Sequence, residues 1–160
     1  MTDEPRTRRR ELDDVDLSIL RILQADGRTA LSEIARRVEM GTATIHERTN
    51  TLESQGYIRG YHADLDPELL GFGVVAFVQV HTEAGRFSAV AERLTEEPAI
   101  HEIHEITGEA DLLCKVRLGS RLELSRLLTT IGEYDGVTGT ATNVALRSVT
   151  EASRLDLDDG

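Results

Sequence analysis

Two groups of residues in this chain carry side chains suited to recognition rather than to bond-breaking. The first runs from Arg36 to Asn50. Arg36, Arg37 and Arg48 present guanidinium groups that can hold phosphate oxygens. Thr42, Thr44, His46 and Asn50 offer the groups that meet base edges: asparagine bonds adenine bidentately, threonine meets the thymine methyl and histidine can donate to guanine. The competing reading is a solvated helix surface. The second group is split along the chain. Gly108 allows a turn conformation closed to other residues, and Glu109 and Asp111 follow it. Asp111 would start a strand, where its carboxylate can take the ammonium group of an amino acid. Thr140, Thr142 and Asn143 supply hydroxyl and amide groups beside Val144. The competing reading here is a capped structural turn.

Other chemistries find little support. There is no Gly-x-Ser-x-Gly elbow, phosphate-binding loop, dinucleotide fingerprint or paired-cysteine motif, so an enzyme is not expected. His101 and His104 are three apart in a strand and would point to opposite faces unless a bulge intervenes, and no zinc spacing is present, so no metal is expected. Cys114, the single cysteine, excludes an internal disulfide and falls on the inward register of its strand.

The first group needs a helix pair to present it. Leu31 to Asn50 reads as two short helices joined by a tight turn at Gly41, with Ala35 small at the crossing and Met40 and Ile45 buried between them. A preceding helix, capped by Asp13 or Asp14, places Leu12, Val15, Ile19, Ile22 and Leu23 at spacings of about three and four and ends at Gly27. The second helix starts near the capping residue Ser32 and ends at Val38. The third runs from about Thr42 to Gln55, closed by Gly56. Tyr57 to Ala63 reads as a short strand.

The second group needs a sheet. Strands are expected over Val74 to Thr82, Ile100 to Thr107, Asp111 to Leu118 and Val137 to Val149, with helices over Arg86 to Thr95 and Leu122 to Ile131. The isoleucines at 100, 103 and 106 are spaced as in a helix, but Pro98 and Gly108 bound a segment so short that a bulged strand is the better reading. The order β-α-β-β-α-β is the ferredoxin-like split βαβ arrangement, whose open sheet face commonly finds a partner. The expected organisation is an α+β chain: a flexible basic arm at 1–11 carrying Arg8 to Arg10, a helix-turn-helix domain at 12–63, a linker at 64–73 around Pro67, the βαββαβ domain at 74–151 and an acidic tail at 152–160.

Charge sets the physical context. The 160 residues carry 18 basic against 29 acidic side chains, a net charge of −11. Residues 1–60 hold 10 arginines and 11 acids, so the acidity lies in the remaining 100 residues. Lys115 is the only lysine. Acid-rich, lysine-poor surfaces are typical of extreme halophiles, where a Debye length of about 3 Å at 1 M salt screens like-charge repulsion. No secretion signal is evident and the longest apolar run, Gly73 to Val78, is too short to span a bilayer, so a cytoplasmic protein without a membrane partner is expected.

Three pieces of the chain together resemble the Lrp/AsnC (feast/famine) family of prokaryotic transcription regulators. LDDVDLSILRILQADGR looks like the family's first helix. TIHERTNTLESQGYIRGYHADLDPELLGF looks like its recognition helix, hairpin strand and linker. ITGEADLLCKVRL looks like its Gly-Asp/Glu-x-Asp signature entering a strand. The resemblance implies a winged-type helix-turn-helix domain that binds double-stranded DNA, joined to a βαββαβ ligand-sensing domain. It also implies a homodimer packed sheet to sheet, assembled further into tetramers or octamers. A small effector, usually an amino acid, would bind between neighbouring dimers near the positions of Asp111 and of Thr142 to Val144, and no other cofactor is implied. The chain departs from the family at Glu47, Asn50 and Thr51, where basic residues are frequent, at Thr49, where an aliphatic is usual, and at Glu39, where glycine is frequent. Two alternatives are a sensor whose helix-turn-helix no longer binds DNA and an enzyme like the sirohaem decarboxylases, which share the architecture but carry an Asn-Leu-Trp segment that this tryptophan-free chain lacks.

Overall fold

The computed structural model describes residues 11–151 and 154–157. The arm with Arg8 to Arg10 lies outside the described residues, as do positions 152–153 and 158–160 of the tail. The chain divides into two compact units between Asp64 and Leu65, with residues beyond Glu151 belonging to the first.

The first unit is built from α1 (Asp14–Ala25), α2 (Leu31–Arg37) and α3 (Thr42–Ser54). Asp13 caps α1 in a reciprocal box with Asp16, each side chain accepting from the other's backbone N–H. Ile19, Ile34, Ala35, Ile45 and Leu52 form the core, with Met40, Tyr57 and Ile58 packed against it. The turn between α2 and α3 is made differently from the sequence expectation. Glu39 holds the left-handed conformation, φ 56°, whereas Gly41 is an extended N-cap at φ −69°. Helix α2 begins at Leu31 behind Ala30, with no side-chain cap, rather than at Ser32. Leu155 exchanges two hydrogen bonds with the Gln24 amide on α1, at 2.7 and 2.9 Å.

Tyr57 to Ala63 forms no strand. The N–H groups of Tyr57 and Ile58 both go to the Leu52 carbonyl, at 2.9 and 3.2 Å, and no second strand lies among the described residues of this unit to build a ladder.

The second unit contains β1 (Val74–Thr82), α4 (Phe87–Leu94), β2 (Ile100–Glu105), β3 (Leu112–Leu118), α5 (Arg121–Gly132) and β4 (Val137–Val144). The sheet order is β2-β3-β1-β4, with every neighbouring pair antiparallel. Ala76, Val78 and Val80 of β1 pack with Leu112, Cys114 and Val116 of β3 against Val90, Leu94, Leu124, Leu127 and Ile131 of the two helices. The register shifts in β2 between Ile100 and Glu102, and that bulge lets Ile100 and Ile103 both join the core despite their spacing of three. His101 and His104 are exposed. Strand β4 stops at Val144, five residues short of the expected end. Val144 is already opposite Ala76 and the Ala145 N–H reaches the Val75 carbonyl, one residue from the start of β1 at Val74.

Candidate functional site

Helix α3 buries Ile45, Thr49 and Leu52 and leaves Thr42, Thr44, His46 and Asn50 exposed. At about 100° per residue, His46 and Asn50 share one side of that helix, with Thr42 close by. Thr44 and Arg48 fall on the far flank, about 160° round from His46. The Asn50 amide donates to His46 Nδ1 at 3.2 Å, so two base-reading candidates are already oriented by each other.

The three arginines chosen for phosphate are all engaged with carboxylates. Arg36 and Arg37 both donate to Glu33, at 2.7–2.9 Å, and hold its carboxyl down at about 2. These pairs are exposed, and exposed pairs exchange readily for other anions. Arg48 is different: its side chain is only 20% exposed and reaches Asp13 and Asp16 at the start of α1. Those two acids raise its pKa, Asp13 most.

Two cations escaped the sequence reading. Arg28, in the turn after α1, and Arg59, after α3, are exposed, and neither guanidinium has an acidic partner among the described residues. The two segments meet where Gly27 abuts the Tyr61 ring. The signal was present in the spacing. Arg36 and Arg37 follow Glu33 by three and four residues, whereas no acid stands three or four residues from Arg28 or Arg59.

In the second unit the loop ahead of β3 is tied down by hydrogen bonds. Gly108 sits at φ 125°, as its glycine identity suggested. Asp111 Oδ2 accepts from the Thr82 N–H at 2.7 Å and from its hydroxyl at 3.0 Å. Those two bonds, the backbone one first, lower the Asp111 pKa. The Asp111 N–H donates to the Val80 carbonyl and His81 Nδ1 bonds the Glu109 carbonyl at 3.0 Å. Across β1, Thr140 pairs with the same Val80. The structure therefore gathers Gly108, Glu109, Asp111 and Thr140 around one end of β1. Thr142 and Val144 lie successively farther along β4, on the same side as Thr140. Asn143, opposite Phe77, belongs to the other face of the sheet.

Both halves match known sequence families. Residues 12–59 match the winged helix-turn-helix DNA-binding model and residues 75–155 the Lrp/AsnC ligand-binding domain. The chain belongs to the Lrp/AsnC family. It is 39% identical to the transcriptional regulator FL11 of Pyrococcus horikoshii, over 91% of this chain and 97% of that one. It is 33% identical to the leucine-responsive regulatory protein of Salmonella typhimurium, over 97% of each. Among solved structures it resembles E. coli AsnC, with TM-score 0.85, 26% identity and coverage of 90% and 98%. It also resembles a Neisseria meningitidis transcriptional regulator solved as its L-Met complex, with TM-score 0.85, 27% identity and coverage of 92% and 98%. This Lrp/AsnC protein is a DNA-binding transcription regulator with a small-molecule-binding domain, not an enzyme. Among its described residues no helix is long and apolar enough to cross a membrane.

Proposed function

We propose that this regulator reads double-stranded DNA with α3 and alters that binding when an amino acid or a related small metabolite occupies the second unit. The observation that carries the reading is the arrangement of α3. Its buried stripe fixes it in the first unit while Thr42, His46 and Asn50 remain exposed, with Thr44 at the flank. Arg36 and Arg37, released from Glu33, supply phosphate contacts together with Arg28 and Arg59. The effector is held near Gly108, Glu109 and Asp111, with Thr140, Thr142, Asn143 and Val144 as the remaining contacts, and no further cofactor is required. Because Asn143 faces away from Thr142, the two reach one ligand only if a second chain completes the site, which fits a homodimer assembled into tetramers or octamers. The named ligands of the relatives, leucine and methionine, set the class to test first.

The test is selection of duplexes from a random-sequence pool by the purified protein, followed by titration of the selected duplex with each of the common amino acids. Enrichment of a motif, and a shift of its affinity by at least one amino acid, is the expected result. Failure to enrich any motif at low and high salt sinks the DNA reading and leaves the sensor-only alternative. A cytoplasmic location accompanies this reading. So does a high-salt setting, which rests on composition alone, since the relatives named above include Pyrococcus and Salmonella proteins. In that setting the melting temperature rises steeply with potassium chloride, and a flat response removes it.

A further inference from the structure

We propose that Arg48 is a strut that sets the orientation of α3 rather than a contact to DNA. The inference rests on the DNA-binding role proposed for α3. Arg48 lies two residues from His46 and from Asn50, hence about 160° round the helix from both. A flank position of that kind suits a phosphate contact as well as a strut. What decides is where the guanidinium goes. Nη1 donates to Asp13 Oδ1 and Oδ2, at 2.9 and 2.7 Å, and to Asp16 Oδ1 at 2.7 Å.

The two acceptors differ in exposure: the Asp13 side chain is 46% exposed, and Asp16 is the buried one. The Asp16 side chain is 3% exposed, and both carboxylates already form the capping box of α1. The cap of one helix is thereby the anchor of the other. The apolar core between α1 and α3 is non-directional and tolerates a small roll or slide of α3. A charged guanidinium held on three carboxylate contacts is directional and does not. Moving Arg48 to a phosphate would leave the buried Asp16 carboxylate without this cation, which the low exposure penalises heavily. Arg36 and Arg37 carry no such constraint, because Glu33 stays hydrated when they leave.

The experiment compares Arg48→Met, Asp16→Asn and the double variant in the full chain. Binding to a duplex selected by the wild-type protein is measured across a salt series, and thermal stability is measured alongside. Arg48→Lys serves as the conservative variant. For a strut, Arg48→Met and Asp16→Asn each weaken binding by roughly tenfold at every salt concentration. The dependence on log salt keeps its slope, the double variant is no worse than either single one, and Arg48→Lys recovers part of the loss. A slope reduced by about one, with Asp16→Asn binding normally, makes Arg48 a phosphate contact and overturns the proposal. Lowered melting temperature with unchanged affinity makes the pair merely structural and also overturns it. If the wild-type protein selects no duplex, the proposed function fails. The strut is then judged by the stability cycle alone, where additive losses at Arg48 and Asp16 overturn it.

Discussion

Thr49 places a hydroxyl inside the first unit: the residue is 4% exposed and its Oγ1 has no hydrogen-bond partner among the described residues. Replacing it with the near-isosteric valine removes a buried unsatisfied group without opening a cavity. Thr49→Val is therefore expected to stabilise the protein by about 1 kcal/mol, read as a higher melting temperature. A lower melting temperature would mean that the hydroxyl finds a partner in solution. Asp111 makes a different statement. Its folded pKa is lowered below the ordinary 3.8 by the two Thr82 bonds. The stabilisation it gives is therefore complete above the ordinary carboxylate range and is lost only as pH falls through the lowered folded value. Following the Thr82 amide resonance with pH should give a midpoint below 3.8. A midpoint at or above that value would show that the carboxylate is not held by Thr82, leaving it uncommitted to the fold.

Among elements, the connection from α5 to β4 is tightly specified. Gly136 has φ 92°, and a Cβ there would lie 2.9 Å from Arg86 Cβ; its carbonyl accepts from Glu83. Gly136→Ala is expected to cost at least about 1–2 kcal/mol from the left-handed backbone alone. Gly139, three residues on, has open space around a Cβ and no positive φ, so Gly139→Ala should leave the melting temperature unchanged or slightly raised. Equal losses at both positions would refute this geometry. The same scale explains two departures from the sequence reading. Strand formation requires a neighbour with free backbone groups; Tyr57 to Ala63 has none among the described residues of its unit, and beyond Ala145 only Val74 of β1 remains. Periodicity within a segment carries no information about such a neighbour.

The sheet of the second unit has helices on one face only. On the other, Phe77 stands 38% exposed between Lys115 of β3 and Asn143 of β4. A second copy packed against that face would bury the ring, in line with the homodimer proposed above. Phe77→Asp is expected to shift sedimentation velocity to a smaller species while leaving the circular-dichroism spectrum intact. Unchanged sedimentation would move the interface elsewhere. Helix α3 and the loop at Gly108, proposed above to read DNA and to hold the effector, lie in different units; if the response of DNA affinity to an effector passes through the assembly, the same variant abolishes it.

The sequence by itself determined the two cores, the family and the order of elements, apart from the strand expected at Tyr57 to Ala63. Apolar spacing is a local property, and burying a stripe or an alternating face admits few solutions. Gly108 was likewise readable, because a positive φ favours one residue type. Tertiary structure decided how the charged and polar side chains are used. Arg48 looks like Arg36 and Arg37 in sequence, yet its acids stand 32 and 35 residues away along the chain, at the start of α1. Asp111 is committed to Thr82 across a strand pair, and the pleat sends Asn143 away from Thr142. Charge pairing depends on distances of a few ångströms between segments remote in the chain, and only packing sets those distances.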